Sequence, residues 1–397
     1  MIVISLILLV SGAVGEPEKP VIASGMELLF GDRIALNQNL KPVIAIGIND
    51  DITKQDIHVP SGSVIDFFDR GVFKRTVVSS SSKLSLSIKR STPAKLSHFV
   101  QVREIPWSMS HTIHQQVEQL KKIKHSKATT LWDGIIQGIG GHVLDNRSYK
   151  LIVPVDNRLA AKRLSEVFLK KHKQKTTIGM KLKDRPWGEI NIKLNGAPIG
   201  IATSYVRITP PNCKTEDKRA TQKSSTCFIE LKNVDYGKGY KWHDKEHRHY
   251  RGEIYVTIGK SGKLATVNVT DIESILLGVV ASEIFASAPN DALKAQSIAA
   301  RNILLAQLGK RHHADPYHLC SSQHCQVYGG IKHEDPRTSK AVQQTRGEVM
   351  FYDNKVVNAF NSSTCGGSTE NNNAAWGTDK EEYLPAQLDL KTPNSHN

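Results

Sequence analysis

Residues 251–309, RGEIYVTIGKSGKLATVNVTDIESILLGVVASEIFASAPNDALKAQSIAARNILLAQLG, hold the transition that decides the fold. The first twenty positions read as strands joined in a hairpin across a Gly-rich turn. Asp271 then stands where a helix N-cap belongs, and Ile272, Ile275, Leu276 and Val279 mark one helix face. Glu283 closes that helix. A second helix starts in SAPNDALKAQ, with Pro289 near its first turn, where a missing N–H costs nothing. Its buried stripe is Ala292, Leu293, Ala299, Ile303 and Leu304, and Gly309 is a stop signal. Strands that run into helices point to an α+β fold: a strand-rich body with a helical corner.

Working outward, residues 41–100 alternate short apolar stretches (PVIAIGI, SVIDFF, LSLSI) with turn formers and read as strands. Residues 187–266 repeat that pattern. Between them, 110–185 differ: two stretches of helical composition flank SYKLIVPV, an apolar run typical of a buried strand. The expectation is a small inserted α/β segment with a Lys-rich, solvated face. The domain plan is therefore a leader at 1–15, a first strand-rich part at 41–100, the insertion at 110–185, and the main domain at 187–390.

The leader MIVISLILLVSGAVG has an apolar run from Ile2 to Val10, with Ala13 and Gly15 placed like a cleavage site. It lacks a basic n-region, so an uncleaved anchor is the alternative. No later segment holds eighteen uninterrupted apolar residues. These features predict an exported protein, touching the membrane only through an uncleaved N-terminal segment. The 397 residues carry a formal charge of +15, which suits an acidic partner or simply a basic envelope protein. Nucleic acid has only this charge in its favour, and the leader speaks against it.

Glu283 is the acid that stands out. A helix C-terminus is electronegative, and Ile284 and Phe285 are apolar neighbours, so both effects favour the protonated carboxyl that a general acid needs. The alternative is an ordinary exposed acid beside a turn. The stretch RHHADPYHLCSSQHCQVYGG packs His312, His313, His318, Cys320, His324 and Cys325 together. Two thiolates with two imidazoles make a tetrahedral zinc set, and a Cys320–Cys325 disulfide is the rival in an oxidising compartment. A closed four-ligand site leaves no position for an activated water, so such a metal would be structural. Cys213 and Cys227 flank a polar loop and can pair as a staple, which leaves Cys365 over. SSTCGGSTENNNAAWG is rich in small and hydrogen-bonding residues: Ser362, Ser363, Gly366, Gly367, Thr369 and Glu370 suit sugar hydroxyls or form a plain surface turn, with Trp376 and Tyr328 as stacking rings or as core aromatics.

The blocks ILLGVVASEIFASAPNDALKAQSIAAR, CSSQHCQVYGG, AVQQTRGEVMFYDNKVVNAFNSSTCGGSTENNNAAWG and EYLPAQLD are similar, in order, to those of the stage II sporulation protein D / LytB family. The resemblance is dense from about Val267 to Asp389, weaker at 41–100 and 187–266, and absent at about 110–185. It implies a peptidoglycan lytic transglycosylase or, alternatively, a non-catalytic wall-binding enhancer of an N-acetylmuramoyl-L-alanine amidase. By resemblance the catalytic acid falls on Glu283 and a supporting arginine on Arg301. Gln296 joins Arg301 as a candidate for orienting the sugar or stabilising charge, with a satisfied helix-face amide as its alternative. In such a reaction the C6 hydroxyl of the N-acetylmuramic acid attacks its own anomeric carbon. One carboxyl serves as acid and then as base, where other glycosidases need two. The resemblance also implies structural zinc on Cys320, His324 and Cys325, with His313 as fourth ligand and His312 and His318 as rivals. A zinc hydrolase with an open three-ligand site is the remaining alternative.

Overall fold

The alternating apolar stretches extend into long strands because every second side chain reaches a shared interior. The computed structural model describes residues 2–5, 25–31, 34–37, 41–122, 127–139, 142–211, 227–353, 355–362, 364–376 and 380–388. Of the expected leader only Ile2–Ser5 is described, as a strand antiparallel to Glu348–Tyr352; its other residues lie outside the described ones.

Two sheets form the body. One has six strands in the order Ala197–Ala202, Trp187–Leu194, Ser82–Thr92, Lys54–Val59, Ile229–Tyr236 and Asp244–Tyr250. The other runs Ala35–Leu36, Pro42–Ile52, Leu264–Asp271, Glu253–Ile258, Tyr205–Thr209, Val64–Asp69 and Val72–Val77, with Leu319–Cys320 added parallel to Pro42–Ile52. Asp51, in a left-handed conformation (φ 59°), stands just before the chain passes from Pro42–Ile52 to Lys54–Val59, and so from one sheet to the other. Ile44, Ile46, Val206 and Val256 of one sheet share a single core with Ile57, Leu84, Ile190 and Leu231 of the other. The opposite face of the eight-stranded sheet is covered by helix α1 (Gly25–Phe30) and Tyr317, which pack on Ala45, Tyr255, Val267 and Val269. Leu264–Asp271 is therefore buried on both faces, which explains its near-continuous apolar reading.

Residues 95–184 build a separate layer. Its antiparallel sheet has the order Thr177–Asp184, Lys95–Pro106, Ser148–Val155 and Thr129–Asp133. Helices α2 (Ile113–Lys122) and α3 (Arg158–His172) pack on it around Val100, Ile105, Leu120, Val153, Ala161 and Phe168. Asn157 caps α3, its Oδ1 accepting from the Ala160 amide at 2.9 Å. This sheet takes in Lys95–Pro106, upstream of the boundary expected at residue 110, because its partners lie at 148–155 and 177–184 and local periodicity carries no sign of them.

The helical corner follows without a loop. α4 (Ile272–Glu283) starts at Asp271, whose carboxylate accepts from the Ser274 amide at 3.3 Å and its hydroxyl at 2.7 Å. α5 (Asn290–Gln307) packs against α4 and α6 (Pro336–Gln344), and a short α7 (Asn372–Trp376) lies near the C-terminal end. The whole is α+β, with strands as its larger part. No helix among the described residues is long and apolar enough to cross a membrane.

Candidate functional site

Glu283 is the last residue of α4, where the chain leaves the helix into extended backbone at Ile284. The residue is exposed. Desolvation by the surrounding protein nevertheless pushes its carboxyl above the usual range, opposed in part by the backbone amide of Val327. Val327 is brought there by close packing of its loop on α4. A Cβ on Gly278 would lie 2.4 Å from the Gly330 carbonyl oxygen, so only glycine lets the strand of loop pass. Phe285, two residues beyond Glu283, is 87% exposed. Gln296 on α5 is half-buried, and its Nε2 is buried without a partner among the described residues. An unpartnered buried donor is costly unless a ligand meets it.

The other expected residues are placed differently. Arg301 is only 1% exposed and its guanidinium is occupied within the protein. Nε and Nη2 donate to Glu273 at 2.9 and 2.8 Å, Nη1 to the Glu348 carbonyl at 3.2 Å, and Nη2 also to the Val342 carbonyl at 3.5 Å. It ties α5 to α4, α6 and the strand Glu348–Tyr352. Tyr328 is not a stacking surface for a sugar. Its ring is 2% exposed, lies 5.7 Å from that of Tyr250, and its hydroxyl donates to Asn268 Oδ1 at 3.0 Å. Thr369 is occupied within the protein, accepting from the Gln387 amide at 2.8 Å. Glu370 is exposed and accepts from the next amide, Asn371, at 2.9 Å. Ser362 donates to the Thr364 carbonyl at 3.2 Å, and Gly366 and Gly367 make an exposed turn at φ 66° and 97°. Ser363 lies outside the described residues, as does Cys213, while Cys227 is disulfide-bonded. Nothing is described of the Trp376 side chain.

The cysteine–histidine loop closes on itself. One donor atom each from His312, Cys320, His324 and Cys325 lies within 4.8 Å of the others. The fourth member is His312, not His313. His312 has a left-handed backbone (φ 58°) and brings Nε2 to 3.3 Å from Cys325 Sγ, while its Nδ1 meets Asp315 at 3.0 Å. A carboxylate behind an imidazole is the usual support of a metal-binding histidine. His313 turns away to the fully buried carboxylate of Asp133, at 3.0 Å, and lies 3.3 Å from Lys150 Nζ. His318 accepts from the Ala45 amide at 3.1 Å. Both thiols are free, 3.2 Å apart and each 3.7 Å from His324 Nδ1. Tetrahedral zinc with bonds of about 2.0–2.3 Å separates its ligand atoms by roughly 3.3–3.8 Å, so small shifts let this set close on the ion.

Sequence reasoning missed how the 95–184 layer grips this region. Asn146 Nδ2 donates to the carbonyls of Leu305, Ala306 and Leu308 at 3.0–3.1 Å, capping α5 from another part of the chain. Lys310 pairs with Glu104 at 2.8 Å, and Lys150 with Asp133 at 2.5 Å. Burial alone would lift Asp133, but His313 and Lys150 hold its carboxyl below the usual range. Between this layer and the body runs a cleft of about 1510 Å³, lined among others by His312, His324, Val327 and Asn358. Glu283 is not among its lining residues, but Val327, whose amide reaches the Glu283 carboxyl, is.

Residues 260–352 match the family described as Stage II sporulation protein. The chain is 37% identical over 118 residues to the amidase enhancer of Bacillus subtilis, and 31% identical over 136 residues to stage II sporulation protein D of the same organism. An uncharacterized protein of Brachyspira hyodysenteriae is 32% identical over 114 residues. Each match covers 29–31% of this chain, and 16%, 38% and 31% of those proteins respectively, so the chain spans well under half of each relative's length. No solved structure is significantly similar.

Proposed function

We propose that this chain, with its segment of the stage II sporulation protein type, acts outside the cytoplasmic membrane on the glycan strands of bacterial peptidoglycan, as a lytic transglycosylase with Glu283 as its acid and base. The observation that carries the reading is the Glu283 carboxyl at the end of α4, raised by desolvation and reached by the Val327 amide of the loop packed on that helix; α5, which packs on α4, carries Gln296 with its unpartnered Nε2. A protonated Glu283 gives its proton to the glycosidic oxygen as the bond from the anomeric carbon breaks. The carboxylate so formed takes the proton of the C6 hydroxyl as that oxygen bonds to the same carbon, leaving a 1,6-anhydro-N-acetylmuramic acid end. Desolvation raises this carboxyl and the Val327 amide opposes it, whereas the rival acid Glu370 accepts from its own neighbour.

Arg301 serves here as a positioning residue, fixing α5 and thus Gln296 relative to Glu283. His312, Cys320, His324 and Cys325 are the residues that would hold a structural zinc. When bound, the ion would supply a fourfold cross-link within the 312–325 loop. The amidase-enhancer relative favours a second reading, in which the same surface holds glycan or an amidase without cutting. Incubating purified sacculi with the protein and with Glu283→Gln, then analysing the fragments by mass spectrometry, tests both. Anhydro ends from the parent, with a loss on the order of 10²-fold in the variant, are expected. Equal turnover by the variant, or label from ¹⁸O-water at new reducing ends, would sink the transglycosylase reading.

A further inference from the structure

The turn joining Ile229–Tyr236 to Asp244–Tyr250 carries two large exposed aromatics outside the segment that the family match covers. Tyr240 and Trp242 are 55% and 52% exposed, with rings 5.0 Å apart and only 15° from parallel. The stack has a rigid back. Gly237, in a left-handed conformation (φ 62°), lies so close to Trp242 that a Cβ there would come within 2.1 Å of the indole. The turn itself is closed by the Tyr240 amide donating to the Gly237 carbonyl at 2.9 Å and the His243 amide to the Tyr240 carbonyl at 3.2 Å. The indole is thus packed on Gly237, with the Tyr240 ring stacked on it.

The same turn and cleft wall carry polar groups. Asp235 meets His243 at 3.0 Å, and Lys238 meets Asp50 at 2.9 Å. Tyr240, Trp242, Asp235 and Lys238 all line the cleft that Val327 also lines. A flat apolar surface ringed by hydrogen-bonding groups matches a pyranose, whose axial C–H bonds form an apolar face and whose hydroxyls and acetamido group stand at the edge. Packing of the turn on itself would account for Trp242 but leaves the open face of Tyr240 without a reason.

We infer that this turn is a sugar-binding platform, taking a hexopyranose ring of the glycan strand against Tyr240 in the same cleft. The inference rests on the glycan-strand reading above and adds a binding residue that the motif blocks do not contain.

The test is calorimetric titration of the full-length Glu283→Gln protein with β-1,4-linked N-acetylglucosamine hexamer and with peptide-free glycan strands. A second protein adds Tyr240→Ala, and a third adds Tyr240→Phe. Loss of the ring should weaken binding roughly tenfold, and phenylalanine should restore it. Because Tyr240 is exposed, the melting temperature should stay within about 1 °C. In the otherwise native protein, Tyr240→Ala should raise KM for glycan strands with little change in kcat. Equal affinity with and without the ring, or no glycan binding by any of the proteins, overturns the inference. If cleavage depends on Glu283 while affinity ignores Tyr240, the platform fails and the catalytic reading stands. If Tyr240 governs affinity while Glu283→Gln still cuts, the catalytic reading fails and the platform stands.

Discussion

Replacing Arg301 by methionine separates positioning from catalysis. The side chain is 2% exposed and its partner Glu273 16%, so the pair sits largely out of water. Two charge-assisted bonds at 2.9 and 2.8 Å join them, and the guanidinium also holds the Glu348 carbonyl. Methionine fills similar volume but leaves Glu273 with the Gly347 amide, at 3.3 Å, as its remaining hydrogen-bond partner among those described here. Stranding one member of such a pair costs about 3–5 kcal/mol. At about 2–4 °C per kcal/mol, the melting temperature should fall by roughly 6–20 °C. Converting Glu273 to leucine in the same chain should recover much of the loss, because an apolar pair in place of a buried ion pair is often neutral. Calorimetry on the two variants measures both effects. A melting temperature within about 2 °C of the parent, combined with collapsed kcat, would refute the reasoning and put the guanidinium on the substrate.

For the metal loop, His312→Ala should abolish binding of about one equivalent of zinc, measured by elemental analysis, whereas His313→Ala should retain it. The latter should instead lose about 1–3 kcal/mol of stability, because it removes a partner from buried Asp133. Asn146→Ala strips the cap from the last carbonyls of α5 and should likewise cost about 1–3 kcal/mol, read by urea unfolding. For pH, the folded carboxyl of Glu283 titrates above its unfolded counterpart, so the fold resists ionising it. That penalty is absent below the unfolded pKa and complete above the folded one. Glu283→Gln should therefore be more stable than the parent at neutral pH, with the gap closing on acidification. Cleavage by the parent should fall as pH rises through this raised value. A variant less stable at pH 7, or activity that climbs steadily with pH, would contradict the shift.

Local patterns foretold the helical corner well. Asp271 caps α4, Glu283 ends it, and of the expected stripe Leu293, Ile303 and Leu304 are buried while Ala292 and Ala299 are half-buried. Such features depend on neighbours within a turn or two, which spacing records. The choice between His312 and His313 was not legible, because adjacent residues differ only in which way a left-handed backbone turns them. Tyr328 misled for a related reason: an aromatic beside a glycine pair looks alike whether it faces solvent or Asn268. Asn146 gave no signal at all. A capping residue is recognisable when it sits next to its helix, and this one is separated from the carbonyls it holds by 159 to 162 positions.

That separation has a consequence for how the chain assembles. The final turn of α5 cannot be completed by the segment that encodes it; it waits for a residue delivered by another layer. Contacts of such long range form late, since the intervening loop must first be closed. Amide protons near Leu308 should then exchange through the same opening events as those of the 95–184 sheet, as one cooperative unit. A chain cut or circularly permuted between residues 185 and 187 keeps both partners but must find them by a different search, and its refolding rate, more than its final stability, would register the change.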